Sequence, residues 1–398
     1  MKRRTLGARD TAGLISSTST ALPRSRPYPV PRQRLRRIAA VVLAAACVAA
    51  GIQSLPLRAD AATVTVAANF AVPVDNPLIK NKFAVYNSCI VPSSQYNRDI
   101  NLINDIKPES LRIDGGLGAA PFCGLTPNPV TGTVGNLQYD FTGTDQLVGQ
   151  LDTRGVVPYW SYGYEPAPLQ IGGDWRSKPS SLPGWQQVLN AYTAHFKQAN
   201  KSVGYHEIWN EPDFGSTFFT GTMNDYFDLY KYGTNGLRQG DADAVIGGLS
   251  SANRTDWITP YLDYVVANNL PLDFLSFHQY PSTVTGEPAQ IDAYLASIKS
   301  LMAARSQFYT TELHLNEYNS YPINYPQGGT QDKFGLASSL LRDFNYFLSQ
   351  PSLDKVNWAQ FMDSGQGNFS GMVTIDGFRK AVFNAYKIYL ASSRSWNL

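Results

Sequence analysis

Histidine is scarce, four in 398 residues, and no two stand at a metal-ligand spacing. His206-Glu207 lacks the second histidine four residues on that a zinc-binding helix needs. No His/Asp cluster compensates, so a metal-dependent hydrolase is disfavoured and no metal or other cofactor is expected. Cysteine is scarcer still, three residues at positions 47, 89 and 123. Glycine-rich phosphate cradles are missing: Gly115-Gly116 does not have the spacing of a dinucleotide fingerprint. No internal repeat and no linker composition marks a second domain. Beyond one N-terminal run, no stretch is apolar and long enough to cross a bilayer.

That run sets the compartment. Four arginines between Arg32 and Arg37 precede an Ala-rich apolar stretch, Ile38 to Ile52, and then Ala59-Asp60-Ala61. Basic, apolar, then a small-residue cleavage pattern is the order of a secretory signal. Residues 1–61 are therefore expected to be a signal peptide with an extended n-region, and residues 62–398 the mature chain, secreted and free of the membrane. Arg36-Arg37 permits a twin-arginine route. Ala44, three positions before Cys47 where a lipoprotein wants leucine, disfavours a lipid anchor. Residues 1–61 hold eleven of the 33 Lys/Arg and two of the 31 Asp/Glu, which leaves 22 basic and 29 acidic residues and a formal charge of −7. An acidic exported chain is a poor partner for nucleic acid. The two remaining cysteines, Cys89 and Cys123, are expected to bridge in an oxidising compartment.

From residue 83 onward strand-like and helix-like segments alternate. Strands are expected at 83–86, 110–113, 156–161, 205–210, 244–247, 274–277, 308–316 and 356–360. Helices are expected at 97–106, 145–152, 185–199, 224–238, 258–268, 290–304, 332–348 and 380–390, with a long Gly/Pro/Thr loop at 118–142. Eight β-then-α units in about 310 residues match an α/β fold of the (β/α)8 TIM-barrel type in a single catalytic domain. The rival, a doubly wound open sheet, has no phosphate fingerprint to support it.

Barrel enzymes place their chemistry at the C-terminal strand ends. Here those ends carry Arg112 and Asp114, Trp160 and Tyr162, Asn210 and Glu211, His278 and Tyr280, Glu317, and Trp358. Two carboxylates without a metal set suggest glycoside hydrolysis, in which a retaining enzyme holds its two carboxyls about 5–5.5 Å apart. Whichever acts as nucleophile must stay ionised, with Arg112 and Tyr280 as candidate stabilisers; the acid must hold a proton, raised by burial and by its partner's charge. Trp160, Tyr162 and Trp358 are candidates for stacking on sugar rings, and equally for core packing. Glu165 stands near a strand end as a further candidate contact, whereas Glu207 is expected to be buried and paired. Glu312 competes with Glu317; five residues apart on a strand, the two should point to opposite faces.

The segment Tyr205-His206-Glu207-Ile208-Trp209-Asn210-Glu211-Pro212-Asp213 resembles the acid/base segment of the retaining barrel glycosidases, and glycoside hydrolase family 39 in particular. His314-Leu315-Asn316-Glu317-Tyr318-Asn319-Ser320-Tyr321 is similar to that family's nucleophile segment, and Asp273 to Tyr280 to its sixth-strand segment. The resemblance covers roughly residues 83–390. It implies Glu211 as acid/base, Glu317 as nucleophile, Asn210 as a contact to a sugar 2-hydroxyl, and His278 and Tyr280 as lining residues. It also implies an oligo- or polysaccharide substrate; the family includes β-xylosidases and α-L-iduronidases.

Two departures matter. Asp114-Gly115 stands where the family often has His-Gly, and the chain ends eight residues past Leu390, where the family's xylosidases carry a β-sandwich. The second favours an endo-acting or differently specific enzyme over an exo-xylosidase of the usual build. A transglycosylase would use the same residues. A carbohydrate-binding protein that had lost turnover would be expected to lack one of the two glutamates, and both are present.

Overall fold

A computed structural model of the chain describes residues 82–88, 94–117, 125, 127–201, 203–281, 287–320, 332–364 and 369–395. All of them belong to one compact unit, Phe70–Leu398. The expected signal segment and the expected Cys89–Cys123 bridge lie outside the described residues.

Ten strands are described: β1 (Phe83–Asn87), β2 (Ser110–Ile113), β3 (Val130–Thr133), β4 (Asn136–Tyr139), β5 (Val157–Tyr162), β6 (Tyr205–Ile208), β7 (Ile246–Ser251), β8 (Phe274–Gln279), β9 (Glu312–Tyr318) and β10 (Lys355–Ala359). Eight of them close a barrel in the order β1-β10-β9-β8-β7-β6-β5-β2, every neighbouring pair parallel. Helices follow the barrel strands: α1 (Ser94–Asp99) and α2 (Ile103–Ile106), α3 (Thr142–Asp152), α4 (Leu182–Gln198), α5 (Met223–Gly240), α6 (Thr255–Ala267), α7 (Glu287–Ala303), α8 (Phe334–Leu348) and α9 (Ala381–Ser395). Parallel strands sheathed by helices are buried on both faces, and β1, β2 and β10 are buried at every residue.

Local chemistry explains the helix starts. Ser181 precedes α4 and its hydroxyl accepts from the Gly184 amide, with Pro183 inside the first turn. Thr222 opens α5 in a reciprocal capping box with Asp225.

Three boundaries differ from the sequence expectation for identifiable reasons. The loop at 118–142 contains the hairpin β3–β4, turned at Gly135 with φ +85°. Strand β7 runs on through Gly247-Gly248 to Ser251, because a glycine there is a close approach and not a stop. A Cβ on Gly247 would lie 2.3 Å from the Phe274 carbonyl oxygen and ring of β8. Strand β6 stops at Ile208, and Trp209 and Glu211 then take left-handed backbone, φ +72° and +45°. Such conformations are costly for side chains of that size.

Alternation along the strands decides which residues enter the barrel. Tyr86, Arg112 and Tyr159 stand in one register row across β1, β2 and β5, and Arg112 and Tyr159 meet the same carboxylate inside. The neighbouring row, Ile113, Trp160 and His206, faces the helices. Strand β9 breaks the rule once. Phe277 pairs Leu315, but His278 pairs Glu317, so Asn316 is an extra residue in a bulge.

Candidate active site

The site is assembled around Arg112. This guanidinium is fully buried and lies 5.0 Å from the Tyr86 ring centroid. Its Nε donates to Glu207 Oε2 at 2.7 Å and its Nη1 to Glu317 Oε1 at 2.8 Å. Its Nη2 donates to Asn210 Oδ1 at 2.8 Å and to Ser250 Oγ at 2.9 Å. Glu207 is thus the buried, paired carboxylate that the sequence suggested. Ser276 Oγ (2.6 Å), Asn316 Nδ2 (2.5 Å) and the Tyr159 hydroxyl (3.3 Å) complete its shell.

Glu317 and Glu211 share the barrel mouth. Oε2 of Glu317 accepts from the Tyr280 hydroxyl at 2.6 Å. Oε1 of Glu211 lies 2.5 Å from His278 Nδ1, and His278 Nε2 lies 3.5 Å from Glu317 Oε1. One ligand atom of each of Glu211, His278 and Glu317 falls within 4.8 Å of the others. A cation is a poor occupant, because Arg112 and Tyr280 already engage both Glu317 oxygens. The arrangement suits the movement of a proton.

Burial raises the Glu211 carboxyl to about 8, and the charge of Asp213 adds to it while Arg112 opposes it. Burial also pushes Glu317 up, against the pull of His278, Arg112 and the Tyr280 hydroxyl. His278, lowered to about 4 by burial, is neutral near pH 7 and exerts little of that pull there. Two carboxyls so close do not both ionise cheaply. Glu317 has a guanidinium and a phenol as donors, so the negative charge belongs on Glu317 and the proton on Glu211. Asp213 stays close to Glu211, held by Ser251 Oγ at 2.6 Å and the Ala252 amide at 2.8 Å.

Asp114 joins the site at one remove. Its Oδ2 accepts from the Tyr164 hydroxyl at 3.2 Å, and that hydroxyl accepts from Asn210 Nδ2 at 3.0 Å. Burial raises the Asp114 carboxyl to about 6. Of the residues named from sequence, Arg112, Asn210, Glu211, His278, Tyr280 and Glu317 come together, with Asp114 behind Asn210.

Three aromatic candidates do not join them. Trp160 and Tyr162 lie on the outward row of β5, against Tyr192 of α4 at 6.2 and 5.8 Å between ring centroids. The Tyr162 hydroxyl pairs with His206 Nδ1 at 2.8 Å. Trp358 packs edge-on to Tyr318, whose own ring meets Phe347 of α8 at 5.0 Å. All three are fully buried. The reason is parity: Tyr159 and Ser161, one residue off, are the β5 residues that point inward. Glu165 is also shut away from solvent and makes none of the contacts of the cluster; burial pushes its carboxyl well above the usual range.

The argument separating Glu312 from Glu317 also changes. The bulge at Asn316 puts both on the same face of β9. What separates them is height. Glu312 begins the strand, half-exposed, and pairs with His314 Nε2 at 2.8 Å, whereas Glu317 stands near the strand's C-terminal end.

Sequence reasoning missed Ser250, Ser276, Tyr159, Tyr164 and the role of Asn316. Serine and tyrosine carry no spacing signal; Asn316, adjoining Glu317, and Ser276, two residues before His278, stood inside motifs without a role of their own.

Two carboxyls closing on each other at the C-terminal mouth of a parallel barrel define the barrel glycosidases as a class. The chain belongs to glycosyl hydrolases family 39, whose family model matches residues 126–341. It is 26% identical over 280 residues to a β-xylosidase of Caldicellulosiruptor saccharolyticus, covering 64% of this chain and 57% of that protein. It is 24% identical over 284 residues to a β-xylosidase of Geobacillus stearothermophilus, covering 64% and 56%. The chain therefore spans little more than half the length of these curated relatives. In structure it is similar to the family 39 enzyme of Xanthomonas axonopodis pv. citri, with a TM-score of 0.64 and 21% identity over 79% of this chain and 66% of that one. That likeness concerns the fold alone.

The outward placement of Trp160 has a testable consequence. Trp160→Phe should lower stability by roughly 1–2 kcal/mol through lost packing, read by urea denaturation, and leave KM for a glycoside within twofold of wild type.

Proposed function

We propose that the protein is a secreted retaining glycoside hydrolase acting on an oligo- or polysaccharide, with β-xylosides as the first substrates to try because both curated relatives carry the name β-xylosidase. The observation that carries this reading is the close approach of the two carboxyls, one oxygen of each lying within 4.8 Å of the other. That is near the retaining distance and short of the roughly 6.5–9.5 Å that an inverting enzyme needs to seat a water.

Glu317, held by Arg112 and Tyr280, attacks the anomeric carbon while the bond to the leaving oxygen breaks. Glu211 delivers its proton to that oxygen. Water then replaces the departed group; Glu211, now a carboxylate, takes a proton from it as its oxygen attacks the anomeric carbon and the ester to Glu317 breaks. Two inversions leave the configuration unchanged. Asn210, oriented by Arg112 and Tyr164, is positioned to meet a sugar hydroxyl. The residues assign no step to a cofactor.

The domain reading remains a cleaved signal, residues 1–61, followed by the catalytic barrel, residues 62–398. The basic-apolar-small pattern of the N-terminus supports it. N-terminal sequencing of protein exported by a secreting host should begin at Ala62; an unprocessed extracellular chain would overturn it.

Glu317→Ala should abolish hydrolysis of every glycoside tested. Glu211→Ala should slow release of poor leaving groups about 10²–10⁴-fold and spare a 2,4-dinitrophenyl glycoside far more, because that group leaves without a proton. Proton NMR of the first-formed sugar should show the substrate's own anomer; the opposite anomer would refute retention.

The acid must be protonated, so kcat/KM should fall as pH rises through about 8, where Glu211 deprotonates. Asp213→Asn removes a negative neighbour, favours ionisation of Glu211, and should move this basic limb to lower pH. A limb that stays in place would remove Asp213 from the account.

A further inference from the structure

His278 stands between the two carboxyls, and its ring has two ways of doing so. A neutral imidazole has one N–H and one bare nitrogen. If Nε2 carries the hydrogen, Nδ1 is an acceptor, and the acid proton of Glu211 is drawn onto Oε1 and toward the histidine. If Nδ1 carries it, Oε1 is occupied as an acceptor and the acid proton sits on Oε2. Burial keeps the ring neutral over the working range, so the choice of tautomer is a real one.

The hydrogen bonds around Ser250 make that choice. Its Oγ accepts from Arg112 Nη2 at 2.9 Å, so its own hydrogen must find another acceptor. Two are in reach: His278 Nε2 at 2.9 Å and Asn210 Oδ1 at 3.4 Å. The second is farther and already accepts from Arg112 at 2.8 Å. The hydroxyl therefore donates to Nε2, and Nδ1 is left to donate to Glu211 Oε1.

Ser250 is also rigidly seated. It is fully buried with φ +50°. Its amide donates to Ser276 Oγ at 3.0 Å and its carbonyl accepts from the Glu211 amide at 3.0 Å. It thus holds Glu211 by the backbone and, through His278, by the side chain. Among the described residues Oε2 of Glu211 has no hydrogen-bond partner, and the side chain retains 12% exposure. The other charges acting on His278 are Glu317, Arg112, Glu207 and Asp213. Of these, Arg112 also touches the serine.

We propose that Ser250 is a positioning residue: fixed by Arg112, it holds His278 as the Nδ1–H tautomer and so leaves the acid proton of Glu211 on Oε2, free for the leaving group. The inference rests on Glu211 being the acid. It also couples the two carboxyls, because the guanidinium that supports Glu317 sets the proton geometry of Glu211 three hydrogen bonds away.

The test combines a spectrum with a leaving-group comparison. Nitrogen-15 NMR of histidine-labelled protein, with the His278 signals identified by their loss in His278→Asn, should show the hydrogen on Nδ1 in the wild type and a shift toward Nε2 in Ser250→Ala. In the same variant the ratio of kcat/KM for 2,4-dinitrophenyl β-xyloside to that for methyl β-xyloside should rise at least tenfold. His278→Asn puts an amide donor near the Nδ1 position with no tautomer to choose, so adding Ser250→Ala to it should leave the ratio within twofold.

A wild-type hydrogen on Nε2 would overturn the proposal. So would a ratio unchanged in Ser250→Ala, which would mark a merely structural serine, or a large further effect of Ser250→Ala in the His278→Asn background. If another sugar and not xylose is turned over, the ratio is read on the 2,4-dinitrophenyl and methyl glycosides of that sugar. If no glycoside is turned over, or if Glu211→Ala shows no leaving-group dependence, the proposed function fails, and the NMR reading of the tautomer stands or falls separately. Should Ser250→Ala not fold, Ser250→Cys, a weaker donor, should give an intermediate tautomer shift, and no shift would count against the proposal.

Discussion

The geometry of the mouth depends on the buried guanidinium of Arg112, which pairs with both Glu207 and Glu317 and fixes Asn210 and Ser250. Desolvating a guanidinium and two carboxylates is expensive, and the attraction among them offsets that only when geometry and hydrogen bonding are nearly complete. The shell around Glu207, built from Ser276, Asn316 and Tyr159, supplies that completeness. Glu207 takes no part in the proposed chemistry. Its contribution is to anchor Arg112 so that the remaining donors of the guanidinium reach the mouth in a fixed fan.

The polar interior does not end there. Tyr159 lies 3.3 Å from His314 Nδ1, and His314 Nε2 lies 2.8 Å from Glu312. A line of polar contacts thus runs along the barrel from Glu312 at one end to Glu317 near the other. A barrel can carry such a line because its wall is apolar and helix-clad, and each polar group finds a partner inside. Low dielectric then strengthens every contact in the line, which suits a site that must place a proton on one carboxyl and a charge on its neighbour.

Much of this was legible in the sequence. Alternating strand and helix patterns were enough for the barrel, and strand ends rich in polar and aromatic groups were enough for six of the residues that meet. Motif resemblance supplied the roles. The failures share a cause: a linear pattern carries residue type but only loosely carries phase. Trp160, Tyr162 and Trp358 have the right chemistry for a sugar site and the wrong parity. The strand expected at 244–247 runs on to Ser251, and Gly247 lets β7 lie against Phe274. Ser250 carried no signal, and Ser276 stood in a motif without a role, since a serine acquires a role only from the groups that three-dimensional packing brings to it.

The extra residue in β9 has a consequence for anyone who would rebuild this protein. In an evenly paired strand the place opposite His278 would fall to Asn316, and Glu317 would turn outward toward the helices. With the bulge, Asn316 still reaches Glu207 while Glu317 faces the mouth, so two adjacent side chains serve the same interior. The placement of Glu317, the proposed nucleophile, therefore depends on an irregularity and not on the ideal barrel. A designer who regularised β9 would keep the sequence motif and the fold and lose Glu317 from the mouth. Transplanting this site onto another scaffold means transplanting the defect with it.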